Sequence, residues 1–363
     1  MTLTATRETT GDQTQLAVID GDIHNALASD KALLKYLPDR WRRHHEIFGG
    51  RGHSGAYYPR ANLNAARTDS WPPSGLPPGS DLGFLQEQLL DFWGIDYGIL
   101  NPLFGAGGQL NLEYGAALAT AINDWQIAEW LEPEPRLRAS VIVAYEDGDL
   151  AAREIDRVGD DPRFAQVLMV ARTAEPLGRR KYWKMYEAAE RHDLPIGIHF
   201  GGSGGAPITG AGWPSFYIED HAGMPTSFEP QVTSMVCEGV FERFPNLKVV
   251  LIEGGFAWLP SLMWRLDRAC HLLRDEVSHL NRLPSEYIRE HFWITTQPME
   301  EPAKPRQLTE LLEQLDMSDR LMFATDYPHW DFDAPDEAVP PSLDPELRQA
   351  ILAGNAKALY GLT

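Results

Sequence analysis

Near the N-terminus, the run Val18-Ile19-Asp20-Gly21-Asp22-Ile23-His24 sets two carboxylates and an imidazole at alternate positions of an apolar stretch. Residues two apart in a strand share a face. Asp20, Asp22 and His24 therefore line one side of a strand where an interior strand would carry Val or Leu. Burying such groups is costly unless they are paired or hold a metal. The plainer alternative is an exposed strand end running into a polar loop. The rest of the chain decides between them by what it offers as partners.

Other short apolar runs also end on polar residues. Asn101 follows 97–100, Arg172 follows 164–170, and His199 lies in 195–200. Glu253 closes 247–252, Thr296 and Gln297 end the run from 292, and Asp326 closes 321–325. With the opening strand and a run at 139–143, this makes eight apolar segments. Helical periodicity separates them, over 80–94, 112–131, 148–158, 179–192, 228–244, 257–276 and 306–315, with a last helix at 345–360. Short, nearly continuous apolar runs suit strands buried on both faces. Eight βα units predict a single (β/α)8 TIM barrel, with a doubly wound open sheet as the alternative. The barrel is expected to span 16–363 behind a polar, flexible leader at 1–15 that has no signal-peptide pattern. A long Pro/Gly-rich insertion after strand one, at 37–80, is expected to form a lid. Its prolines exclude helix and central strand. Its His44, His45 and His53 are assigned structural or solvent roles.

The net charge of −20 argues against nucleic acid and anionic membrane surfaces as partners. No apolar run approaches the roughly 20 residues of a membrane span. Cys237 and Cys270 fall in helical patterns without a CxxC context, which suits reduced core residues of a cytoplasmic protein.

Barrel active sites sit at the C-terminal ends of the strands. Two histidines and several carboxylates converging there make a site for a divalent metal. The motifs IDGDIH (19–24), LPIGIHFGG (194–202), FERFPNLKVVLIEGGFAWLP (241–260) and LMFATDYPHWDFD (321–333) carry a resemblance over nearly the whole chain. The chain resembles the amidohydrolase superfamily, in the branch of aminocarboxymuconate-semialdehyde decarboxylase and the resorcylate-type decarboxylases. That resemblance implies metal ligands at Asp22, His24, His199 and Asp326, and at least a dimer. Two departures stand out. Asp22 occupies the first position of the superfamily's H-x-H, where related decarboxylases also carry an acid. Glu253 occupies the strand-six position where those decarboxylases carry an acid/base histidine.

A carboxylate beside a metal is a competent base towards bound water, whereas a neighbouring cation lowers its pKa and weakens it as a carbon protonator. The expectation is therefore a metal-dependent hydrolase acting on a small cyclic or aromatic substrate, with non-oxidative decarboxylation on the same metal as the alternative. A barrel that binds a small ligand without turnover is the rival of another class. In the hydrolytic reading Asp22, His24, His199 and Asp326 hold one ion, Zn²⁺ or Mn²⁺ with Fe²⁺ also suited, and Glu253 or Asp326 acts as base. Among candidate pocket residues, His221 is assigned to catalysis. Asn101, Arg172, Trp213 and His329 are assigned to substrate binding, with His329 alternatively holding Asp326. Arg172 is suited to a substrate carboxylate. Phe216, Tyr217, Trp258 and Trp330 add aromatic surface.

Overall fold

The computed structural model describes residues 16–50, 65–202 and 207–363. The expected leader at 1–15, and 51–64 of the expected lid with His53, lie outside the described residues. Eight parallel strands run in sequence order: β1 (Ile19–Ile23), β2 (Tyr97–Leu100), β3 (Leu137–Ile142), β4 (Phe164–Arg172), β5 (Ile196–Gly202), β6 (Val249–Ile252), β7 (Phe292–Thr295) and β8 (Leu321–Met322). Backbone bonds beyond β8 bring the sheet round to β1. Gly21 N–H donates to the Phe323 carbonyl (2.9 Å), Asp326 N–H to that of Asp22 (3.1 Å), and His24 N–H to that of Tyr327 (2.7 Å). The sheet is a (β/α)8 barrel, as its eight apolar runs predict.

The strands are short because each needs only to span the buried wall. Val249, Val250, Leu251 and Ile252 are all fully buried, as are Ile294 and Leu137. Helices cover the outer face, among them Leu112–Gln126, Gly148–Val158, Pro225–Cys237 and Leu259–Leu272. No helix among the described residues is long and apolar enough to cross a membrane. The expected helix 148–158 is found at those bounds, where Asp147 caps it by accepting from the Asp149 and Leu150 amides. The helix expected from Ser80 starts instead at Leu82, because Asp81 caps it by accepting from the Phe84 amide.

The insertion after β1 differs from its reading. Residues Asp39–Phe48 form a helix within the stretch expected to exclude one. Pro38 stands just before its start, where a proline costs nothing, and the dense prolines come later, at 72–78. His45 Nδ1 lies 2.6 Å from the Tyr114 hydroxyl, docking this helix on the helix after β2. Further on, Arg67 N–H donates to the Pro328 carbonyl (2.9 Å) and Trp330 N–H to that of Ala65 (2.8 Å), so 65–67 lies along the loop after β8.

Gly79 closes this segment onto the end of β1. Its φ is +73°, and an added methyl group would lie 2.3 Å from the His24 carbonyl oxygen. Ala26 N–H donates to the Gly79 carbonyl at 2.8 Å. A side chain here meets both the left-handed penalty and the backbone that carries His24. Gly79→Ala is expected to lower stability by about 2–4 kcal/mol in urea unfolding. An unchanged midpoint would show that this close approach is dispensable.

Candidate metal centre

The polar face of β1 points into the barrel. Asp20, Asp22 and His24 are buried, and the pairing of β1 with β2 slips between Asp20 and Ile23, within this stretch. Irregular pairing of this kind re-aims side chains next to functional sites. Asp20 lies deepest as a support. Its carboxylate accepts from the Asp22 amide (3.1 Å), the Thr325 amide (2.9 Å) and the Thr325 hydroxyl (2.6 Å). It thereby ties β1 to the segment that presents Asp326.

Asp22, His24, His199, Glu253 and Asp326 converge at the mouth, all buried, with one ligand atom from each within 4.8 Å of the others. Glu253 and Asp326 both have φ of +61°, a left-handed backbone that non-glycine residues rarely adopt. Each stands just beyond the regular part of its strand, and the turn there aims its carboxylate across the opening. Such conformations persist where surrounding structure enforces them, and they cluster at functional sites.

Each imidazole is oriented by its other ring nitrogen. His24 Nδ1–H donates to the Asn101 carbonyl (2.7 Å) and His199 Nδ1–H to that of Phe200 (2.6 Å), so both Nε2 atoms face the cluster. His24 Nε2 lies 2.7 Å from Asp326 Oδ1 and 3.4 Å from Asp22 Oδ1. His199 Nε2 lies 3.1 Å from Glu253 Oε2 and 3.3 Å from Asp22 Oδ2. Among the described residues neither His199 Nε2 nor Asp22 Oδ2 has a hydrogen-bond partner, although both are buried.

A chain of buried polar residues stands behind Asp22. Asn101 Nδ2 donates to Asp22 Oδ1 (2.8 Å), and Asn101 Oδ1 accepts from the Ser140 hydroxyl (2.5 Å) and Gln166 Nε2 (3.1 Å). The Tyr360 hydroxyl donates to Gln166 Oε1 at 2.9 Å. Gly197 leaves room for this layer, since a methyl group there would lie 2.9 Å from Gln166 Cδ. Asp326 is held from two further sides. His329 Nδ1–H donates to Oδ1 (2.7 Å) and Gln297 Nε2 to Oδ2 (3.2 Å), and the His329 ring stacks on His24 at 4.4 Å.

The charges of these groups call for a cation. Burial drives the Glu253 carboxyl well above its usual range, helped by Asp326, Asp331 and Asp22. Burial opposes a charge on His24, but Asp22 and Asp326 outweigh it and lift the imidazole to about 9. Asp326 moves the other way: burial raises it, and His329 and His24 overcome that and hold it below the usual carboxylate range. A proton is thus retained on His24 Nε2 where a metal ion would take the lone pair. With the unpartnered Asp22 Oδ2 and His199 Nε2, the donor set fits one divalent ion on two nitrogens and two or three carboxylates.

Other expected site residues take varied positions. Asn101 is fully buried behind Asp22, and His329 lies against Asp326. Arg172 Nη2 donates to Asp220 Oδ1 (2.6 Å) and Nε to the Ser227 hydroxyl (3.2 Å), with the guanidinium over the Phe200 ring. Trp213 is exposed in the loop after β5. His221 Nε2 lies 2.8 Å from Asp331 Oδ2, beside Trp330. Asp331, Ser140, Gln166 and Tyr360 were not singled out from the sequence. Ser140 and Gln166 carried the signal used for β1, a polar residue inside a buried apolar run. Asp331 and Tyr360 lie outside any strand and carried none.

A parallel eight-stranded barrel with imidazoles and carboxylates gathered at one mouth defines an enzyme built around one divalent metal ion. The amidohydrolase family model matches residues 19–362, and the chain belongs to that family. It is 28% identical over 318 residues to the gamma-resorcylate decarboxylase of Polaromonas sp. strain JS666, covering 80% of this chain and 93% of that one. An amidohydrolase from Mycobacterium avium subsp. paratuberculosis superposes with a TM-score of 0.72 at 21% identity, covering 97% of this chain and 99% of that one. The 5-carboxyvanillate decarboxylase of Novosphingobium aromaticivorans, solved with manganese and 4-hydroxy-3-methoxy-5-nitrobenzoic acid, superposes with a TM-score of 0.69 at 20% identity, covering 97% and 98%. These two likenesses show the fold.

The relatives correct the expectation of a hydrolase. The curated relatives are decarboxylases of gamma-resorcylate and of 2-amino-3-carboxymuconate-6-semialdehyde, and Glu253, on which that expectation rests, is one of the five clustered donors rather than a base standing apart. An acid at the end of strand six does not by itself select hydrolysis.

The support given by Asp20 is testable. Asp20→Ala leaves three buried donors without an acceptor and is expected to lower stability by at least about 3 kcal/mol. Urea unfolding of the metal-loaded protein measures this. A loss below about 1 kcal/mol would contradict the role.

Proposed function

We propose that the protein is a metal-dependent, non-oxidative decarboxylase of an aromatic carboxylic acid. One observation carries this reading. A complete buried donor set, Asp22, His24, His199, Glu253 and Asp326, sits in a chain similar over most of its length to a gamma-resorcylate decarboxylase. Asp22, His24, His199 and Asp326 would hold the ion with Glu253 as a fifth donor, and the bound charge would stabilise negative charge building on substrate oxygens.

The chain's own residues fix the geometry. Asn101 turns Asp22 towards the opening, and the Ser140 and Gln166 contacts keep the Asn101 amide from reversing. His329 and Gln297 hold the two oxygens of Asp326 separately, so its carboxylate cannot rotate. Tyr217, His221 and Trp330 pack together, with Trp330 Nε1–H donating to the Tyr217 hydroxyl at 3.2 Å, and offer an aromatic wall for a ring. Arg172 is neutralised by Asp220, so it steadies the loop after β5 rather than meeting a substrate carboxylate.

Incubation of the manganese-loaded protein with 2,6-dihydroxybenzoate and with 5-carboxyvanillate tests the reading. The expected outcome is release of CO₂, loss of turnover on chelation, and no ¹⁸O from labelled water in the arene product. Absence of CO₂ from both substrates, or ¹⁸O entering the arene in place of a lost substituent, would overturn it.

A further inference from the structure

Decarboxylation of an aromatic acid needs a proton at the carbon that loses the carboxyl group. The groups of the metal centre are already committed. Asp326 accepts from His329 and Gln297, and Asp22 accepts from Asn101. Glu253 lies in the five-atom cluster. His24 and His199 give Nδ1–H to backbone carbonyls and aim Nε2 at the cluster. His329 donates to a ligand carboxylate and stacks on His24, so a proton on its other nitrogen would add positive charge beside the cation.

His221 is arranged differently. Its Nε2–H donates to Asp331 Oδ2 at 2.8 Å, and Asp331 is not one of the clustered donors. Gln297, fully buried at the end of β7, joins this pair to the centre. Its Nε2 lies 2.9 Å from Asp331 Oδ2 and 3.2 Å from Asp326 Oδ2. Two carboxylates on one amide nitrogen settle which way the amide faces, because the reversed group would aim Oε1 at both anions. Gln297 Oε1 is buried without a partner among the described residues. The imidazole packs 4.9 Å from the Trp330 ring and 5.9 Å from that of Tyr217, and its chain neighbour Asp220 is taken by Arg172. With Nε2 anchored, Nδ1 has no hydrogen-bond partner among the described residues, and it is the nitrogen left for a substrate. A carboxylate behind an imidazole fixes its tautomer and orientation for that task.

We propose that His221, anchored by Asp331, delivers the proton that replaces the departing carboxyl group, and that Gln297 positions Asp331 against Asp326. This rests on the decarboxylase reading. In the proposed step His221 acts as the imidazolium, Nε2–H on Asp331, and its Nδ1 proton adds to the ring carbon bearing the carboxylate, leaving a neutral imidazole. The bond from that carbon to the carboxylate then breaks, its electron pair restores the aromatic ring, and CO₂ leaves. Water returns a proton to Nδ1. Asp331 and Gln297 act through His221 and are positioning residues.

The test uses the manganese-loaded full chain with 2,6-dihydroxybenzoate as substrate. His221→Gln is expected to lower kcat about 100-fold or more, with manganese stoichiometry and melting temperature unchanged. It should lower solvent-deuterium exchange into the arene product by the same factor. Added imidazole should restore His221→Gly at least tenfold. Asp331→Asn and Gln297→Leu should each lower kcat, and neither should cost further once His221→Gln is present. A kcat for His221→Gln within threefold of wild type overturns the assignment. So does a loss accompanied by loss of manganese in both His221 variants, or additive effects in the double variants. Failure of the wild type to release CO₂ instead overturns the decarboxylase reading, and the assignment with it.

Discussion

The crowding of negative charge at one end of the barrel is the constraint on which the rest of this structure depends. Three carboxylates and two imidazoles, all buried, bring ligand atoms within 4.8 Å of one another. Two like charges 4 Å apart repel by about 4 kcal/mol even at an effective dielectric constant near 20. Three such pairs approach the whole stability of a typical domain, roughly 5–15 kcal/mol. The carboxylates must therefore share protons or share a cation. The upward displacement of Glu253 and the proton kept on His24 describe the first solution. The unpartnered Asp22 Oδ2 and His199 Nε2 point to the second.

The fold is arranged to keep these groups from escaping each other. Asp20 joins β1 to Thr325, one residue before Asp326. Asn101, Ser140 and Gln166 extend the same bracing through β2, β3 and β4. At Glu253 and Asp326 the backbone takes a left-handed turn that a relaxed strand end would avoid. The cost of these turns is met by the packing around them: Phe228 fills the space beside Gly254, and the His329 and Gln297 hydrogen bonds grip Asp326. Displacing any one ligand would loosen the bracing of another strand.

The barrel and the donors clustered at its mouth are legible in the sequence for one physical reason. A strand buried on both faces must be apolar, so Asp22, His199 and Glu253 stand out against Ile19, Ile198 and Ile252. Where that contrast fades, the reading weakens. The helix Asp39–Phe48 hides beside a proline-rich stretch, and β8 is shorter than its apolar run because the chain bends before Asp326 takes its positive φ. Asp331 comes from a loop, and nothing in its spacing foretells a bond to His221, 110 residues away. The hydrolytic expectation rests on reading Glu253 as a base towards bound water, with its role as a further ligand left open. Its distance from His199, and hence its membership of the ligand cluster, is a fact of three dimensions only.

The central claim is that these five groups exist to hold one cation. Anomalous scattering from a crystal of the protein grown with Mn²⁺ tests it most directly. The account predicts one peak at the barrel mouth, about 2.0–2.3 Å from atoms of Asp22, His24, His199 and Asp326, with His24 Nε2 turned from Asp326 Oδ1 to the metal. No peak there, with the 2.7 Å bond from His24 to Asp326 intact, would contradict it.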